Sequence, residues 1–193
     1  MNVRDLPKAT GHPPLEQLKA GLDEIRQSPA DCGALRMIVQ RPAVEEREVV
    51  PAGELDVEVG LVGDSWKTRG SRSTPDGTAD PAAQLNVMNS RVLGLLAQSK
   101  ERWQLAGDQL IIDMDMSVDN LPPGTRLSIG LAVIEITEKP HTGCAKFSAR
   151  FGKDALRFIS TETGKSMRLR GACARVVQSG SIHDGDLVTK VAK

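Results

Sequence analysis

The chain has 193 residues, 39% hydrophobic and 26% charged, the make-up of one soluble globular domain with a sizeable core. Its 25 basic and 25 acidic side chains cancel, which argues against indiscriminate binding to nucleic acid, and no apolar run approaches the length of a membrane span. No basic-then-apolar leader opens the sequence, and three cysteines, Cys32, Cys144 and Cys173, make no disulfide framework, so a cytoplasmic protein is expected.

Residues 1–12 read as a tail, broken off by Gly11, Pro13 and Pro14. Leu15, Leu18, Leu22 and Ile25 then recur at helical spacing over residues 14–27 and predict an amphipathic helix that packs on the domain or, in a homodimer, on a second copy. Residues 1–33 thus form a tail and helix ahead of one undivided domain, 34–193. Strands are expected at 34–40 and 48–51, and at 55–62 with Leu55, Val57, Val59 and Leu61 on one face, delivering Asp64 to a strand end. Residues 66–81 form a long polar loop, and loops of that length are uncommon unless functional or disordered. Its Lys67, Arg69 and Arg72 are candidates for ligand contact.

Residues 84–100 predict a second helix, striped by Leu85, Met88, Val92, Leu95 and Leu96. Residues 109–118 predict a strand with Asp113 and Asp115 along one edge. That spacing of acids imitates a calcium loop, but Val118 takes the place of the turn glycine and Gly124 that of the closing glutamate. A further strand at 131–137 is rich in β-branched residues.

Pro140 ends that strand, Gly143 offers the positive φ of a sharp turn, and Cys144 falls at the start of the next helix. Phe147, Phe151 and Phe158 share one face of that helix, and Gly152 divides it into two short ones. Unpaired N–H groups and the dipole at a helix start favour a thiolate over a thiol. Residues 139–193 also carry 11 Lys and Arg against 4 Asp and Glu, a setting that depresses a thiol pKa and suits an anionic ligand such as a phosphate. Cys144 is therefore the candidate reactive centre, with Lys146 and Arg150 in the following turns. Cys32 and Cys173, in apolar surroundings, read as small buried hydrophobes.

Residues 168–177 and 186–191 predict the last strands. Alternation puts Arg168 and Arg170 on one face, and with Arg175 they form the densest arginine group. Two alternatives for Cys144 stay open. It has the spacing of half a zinc site with His141, and a three-ligand catalytic zinc is compatible with that. It could also be a nucleophile with His141 or His183 as base. The run from Thr161 to Ser166 ends like a phosphate-binding loop, but Ile159 stands where the first glycine is required.

Gly60-Leu61-Val62-Gly63-Asp64, Asp119-Asn120-Leu121-Pro122-Pro123-Gly124, Pro140 to Cys144, Gly171 to Val177 and Gly185-Asp186 occur in an order that resembles a MOSC domain. That family includes the C-terminal domain of molybdenum cofactor sulfurases and small stand-alone bacterial proteins. The resemblance implies an α+β fold with a β-barrel core and flanking helices. It also implies a molybdopterin cofactor and a thiol at Cys144 that ligates molybdenum or carries sulfur. Asn120, Lys67, Arg69, Arg72, Lys146, Arg150, Arg168 and Arg170 are the expected contacts to the anionic pterin, and His141 joins Cys144 as a catalytic candidate. If the protein is itself an enzyme, the resemblance points to reduction of N-hydroxylated compounds with electrons from a partner protein. The rival roles are a non-catalytic carrier that hands sulfur or cofactor to a client oxidoreductase, and a sensor or structural module with an inert cysteine. The histidine that relatives carry soon after Gly-Asp is absent, since none lies between His12 and His141.

Overall fold

The computed structural model describes residues 1–7, 11–71 and 73–192. Arg72 lies outside the described residues. Eleven strands are described: β1 (Gly33–Gln40), β2 (Glu48–Val50), β3 (Ala52–Asp56), β4 (Gly60–Leu61), β5 (Leu85–Asn89), β6 (Leu110–Asp113), β7 (Arg126–Ile129), β8 (Ala132–Ile136), β9 (Ala172–Gln178), β10 (Gly180–His183) and β11 (Leu187–Lys190). Seven of them hydrogen-bond in the order β11, β7, β8, β9, β5, β6, β1, and β11 pairs back onto β1, so the sheet closes into a barrel. β2 extends β1 outward, while β10, β3 and β4 form a small separate sheet. The expected α+β class with a barrel core and flanking helices is what the chain forms.

Two hydrophobic layers explain the closure. Leu35, Ile38, Leu85, Val87, Leu110, Ile112, Leu127, Ile134 and Val188 fill the barrel. Met37, Val39, Met88 and Ile111, from three of the same strands, face outward and meet Leu18, Leu93, Leu96, Phe147, Phe151 and Phe158 of the helices. In β1 the inward residues Leu35 and Ile38 are three apart, which strict alternation forbids. The pairing with β6 slips between Leu35 and Met37, a bulge that resets which face each side chain takes.

The helices are α1 (Leu15–Ala20), α2 (Leu22–Arg26), α3 (Trp66–Arg69), α4 (Ser90–Ala97), α5 (Ala145–Phe151), α6 (Lys153–Ser160) and α7 (Glu162–Ser166). The predicted N-terminal helix is thus two helices, hinged at Gly21, where a Cβ would come 2.7 Å from Leu95. Gly152, at φ 95°, separates α5 from α6 as expected, and all three phenylalanines are buried. Residues 1–7 are not a loose tail. Asn2 bridges to Glu46, Val3 N donates to Glu45 O, and Leu6 is buried.

Four expected elements are corrected. The helix over 84–100 is strand β5 followed by α4. Leu85 and Val87 point into the barrel while Met88 faces the helices, so both faces are buried and no period-2 pattern shows. The Asn89 carboxamide accepts from Arg91 N at 2.7 Å and Val92 N at 3.2 Å, capping α4 where the strand ends. The strand over 109–118 stops at Asp113, and Asp115 folds the chain into a turn by accepting from Ser117 N. The strand over 55–62 is a hairpin, with Asp56 accepting from Glu58 N and Val59 N. The strand over 168–177 begins only at Ala172, because Arg168 and Gly171 both take positive φ, 46° and 92°. Arg168 and Arg170 are therefore not paired by strand alternation.

Candidate functional site

The segment from β8 to α5 borders a cavity of about 370 Å³, within the size range of small-molecule sites. Its charged lining is Lys139, Lys165, Arg168 and Arg170 against Glu138, with His141, Gly143 and other uncharged residues making up the rest, so cations outnumber acids in its walls. Gly143 does not take a positive φ. A Cβ there would come 2.5 Å from Leu156 Cδ1 and 2.8 Å from Ile159 Cδ1, so the close approach of the loop to α6 favours glycine, and a larger residue would have to push those side-chain ends aside. Cys144 follows directly. It is exposed, with extended backbone (φ −132°, ψ 176°), and occupies the N-cap of α5 without a side-chain capping bond.

Beneath the cavity runs a buried polar chain. Asp108, fully buried, accepts from Arg170 Nη1 at 3.0 and 2.8 Å, and His141 Nε2 stands 3.5 Å from it. Arg170 also donates to Ala106 O and stacks over Phe147 at 5.0 Å, yet its Nε has no partner among the described residues. On the other side of the imidazole, Nδ1 is 4.0 Å from Cys173 Sγ, which is 3.6 Å from Asn86 Oδ1. Burial, with the nearby Arg170 charge, lowers the His141 pKa to about 4 against the opposing pull of Asp108. Burial, with Asp108, pushes the Cys173 thiol up to about 11. At neutral pH both are uncharged. Cys173 is buried, as expected, but within a polar network rather than an apolar one, whereas Cys32, also expected to be buried, is exposed in a bend at φ 54° ahead of β1. The partners of His141 are Asp108 and Cys173, with no hydrogen bond to Cys144 among the described residues.

The remaining candidates are distributed around the molecule. Lys146 and Arg150 both bind Glu45, at 2.6 and 2.7 Å. Arg168 donates to Leu121 O, and burial holds its pKa below the ordinary arginine value. Arg175 lies on the outer barrel face, paired with Glu135 at 2.6 Å. Lys67 lies over the Trp66 ring, 5.9 Å from its centroid. Arg69 is exposed, and partial desolvation together with the charge of Arg41 holds its pKa below the ordinary arginine value. Asn120 donates to Ala30 O and Asp115 O and sits by a second cavity beside Lys190, which makes it a structural bracket. His183 is exposed at the end of β10, 3.9 Å from Asp186. Among the described residues no three His, Cys, Asp or Glu side chains converge as a metal site.

Asp108, Glu45, Arg41, Arg47, Lys139 and Lys165 are candidate-site residues that no local sequence signal singles out. Lys139 and Lys165 were contained in the basic count of residues 139–193. Asp108 was visible as a carboxylate next to an apolar strand, but nothing local says that it is buried. Arg41 holds Asp64 in a bidentate pair, Nε–Oδ2 at 2.7 Å and Nη2–Oδ1 at 2.9 Å, with the Asp64 side chain fully buried. The Gly63-Asp64 motif is thus a structural lock at the barrel edge.

The profile of the MOSC domain matches residues 74–189, more than half of the chain. The chain belongs to that family. This MOSC domain is similar in fold to the YUAD protein of Bacillus subtilis (TM-score 0.62, 12% identity, covering 83% of this chain and 97% of that one). It is also similar to YiiM from Escherichia coli (TM-score 0.52, 18% identity, 83% and 70%) and YiiM from Geobacillus stearothermophilus (TM-score 0.52, 15% identity, 84% and 74%). No curated protein sequence matches it. No described helix is long and apolar enough to cross a membrane.

Proposed function

We propose that this MOSC domain binds the molybdenum cofactor at the basic cavity, with Cys144 as the thiolate that ligates the metal or carries sulfur to it. One observation carries the reading: an exposed thiol directly follows the glycine that lines a cavity walled by Lys139, Lys165, Arg168 and Arg170. The residues present fit the group. Arg170 keeps an unpartnered Nε near the cavity, cationic walls suit the phosphate of a pterin, and thiolate sulfur is a soft ligand. Lys165 and Arg168 would hold the phosphate, and the neutral His141 would hold the loop before Cys144 in place through Asp108. Bound there, the molybdenum centre would supply redox chemistry, with electrons from a partner protein.

The carrier role is the second reading, favoured by the exposure of Cys144, since handing sulfur to a client oxidoreductase requires the thiol at the surface. Protein purified from a host able to make the cofactor is expected to contain molybdenum, and Cys144→Ser is expected to lose it while Cys32→Ser retains it. A carrier would instead show one extra sulfur on Cys144 by mass and no reduction of an N-hydroxylated base. Zinc at one per chain without molybdenum would overturn the proposal.

A further inference from the structure

Glu45 adopts a left-handed backbone, φ 61°, a conformation that a residue of its type rarely takes without compensation. The compensation is its carboxylate, which bridges Lys146 Nζ and Arg150 Nη2 across the first turns of α5, beside Cys144. These two pairings hold the Glu45 pKa below the ordinary carboxylate range. Close by, three guanidinium groups converge on Gly107. Arg41 Nη1 donates to its carbonyl at 3.0 Å, and a Cβ built on it would lie 3.4 Å from Arg47 Nη2 and 4.0 Å from Arg150 Nη1.

Arg47 is the anomaly in this group. It is 8% exposed and its Nη1 donates to Glu46 O, but among the described residues its Nε has no partner and no carboxylate pairs with it. Burial and the charges of Arg150 and Arg41 lower its pKa to about 10. Asp64 is consumed by Arg41 and Glu45 by Arg150 and Lys146. Four cations therefore share two carboxylates in a partly buried place, and buried charge of one sign is costly unless something compensates it.

We infer that the Arg47, Arg150 and Lys146 cluster is a binding site for a phosphate-type dianion, and that Glu45 is an internal stand-in which the ligand displaces. Two uncompensated positive charges match the charge of a phosphate monoester, and guanidinium forks match its oxygens. Departure of the carboxylate would let Glu45 leave its disfavoured backbone state, which lowers the cost of exchange. The inference goes beyond the cofactor reading: this anion site is distinct from the Lys165 and Arg168 wall assigned to the pterin phosphate, and the two share only the neighbourhood of Cys144.

Inorganic phosphate is the probe, at constant ionic strength set with chloride, followed by thermal midpoint and by calorimetric titration. Phosphate is expected to raise the midpoint saturably, and Glu45→Gln to bind it about tenfold more tightly, because the competing charge is removed. Arg47→Met is expected to abolish the effect. Should that variant fold poorly in chloride, Lys146→Met, whose side chain is largely exposed, is expected to weaken phosphate severalfold while lowering the midpoint in chloride only slightly. Equal or weaker binding by Glu45→Gln, or no saturable response in either protein, overturns the inference. The measurement needs neither molybdenum nor the thiol, so Cys144→Ser protein gives the same affinity whether or not the cofactor reading stands.

Discussion

His141 shows what burial does to a single group. Its folded pKa lies at about 4, below the ordinary 6.5. Between those values the unfolded chain takes up a proton that the folded one refuses, so stability falls as pH drops from about 6.5 to about 4. The slope approaches 1.4 kcal/mol per pH unit. Glu45, Asp80 and Glu135 are shifted down instead, by Lys146, Lys139 and Arg126 as their first causes. Their stabilisation is present above the usual carboxylate values and is lost only as pH falls below about 4.5, so the two windows separate. Denaturant midpoints between pH 7 and 5 are expected to fall for the parent and to stay nearly level for His141→Gln. A parent profile as flat as the variant's would mean that His141 is charged and solvated. The place of Cys144 at a helix start was legible because Pro140, Gly143 and the phenylalanine stripe are local signals. The contacts of His141 were not, since Asp108, His141 and Cys173 come from three distant segments that meet only when the barrel closes.

At the level of elements, the two glycines on either side of the site serve different ends. Gly171, at φ 92°, turns the chain into β9, and a Cβ on it would lie within van der Waals overlap of Val87 O, a backbone atom that cannot yield. Gly143 would press only on the ends of the Leu156 and Ile159 side chains. Gly143→Ala is therefore expected to cost about 1–2 kcal/mol and Gly171→Ala about 3 kcal/mol or more, by urea denaturation. The reverse order would refute this packing account. The same contrast explains which elements could be read in advance. The α5–α6 pair was recognisable because its apolar face is one-sided. β5 reads as a helix in sequence because Leu85, Met88 and Val92 keep helical spacing by chance, and a strand buried on both faces offers no alternation to contradict it.

At the scale of the molecule, the barrel is not uniformly knit. β5 and β6 are paired on both edges and covered on both faces, whereas β1 and β11 meet through two residue pairs, Gly33 with Val188 and Ala34 with Leu187, with Leu35 N donating to Asp186 O and Gly185 N to Leu35 O just beyond them. Native-state hydrogen exchange is expected to release the amides of β11 well before those of β5 and β6. Simultaneous exchange would show that the barrel opens as one unit. Fold class was legible in the ordered motifs, but the closing partner was not, because a seam of two residue pairs leaves almost no trace in sequence.

The number of barrel strands has a consequence of its own. Around a closed ring, neighbours can alternate in direction throughout only if their number is even; with seven, at least one adjacent pair must run the same way. Here that pair is β5 and β6, the one parallel contact in the barrel. Parallel neighbours cannot be joined by a tight turn and need a long crossover, which α4 and the 3-10 turn at Lys100–Ala106 supply. The helical layer on that side thus follows from parity. The crossover also ends at Ala106, Gly107 and Asp108, the residues that receive Arg170, Arg41 and His141, so an odd count of strands brings the polar floor of the site into being.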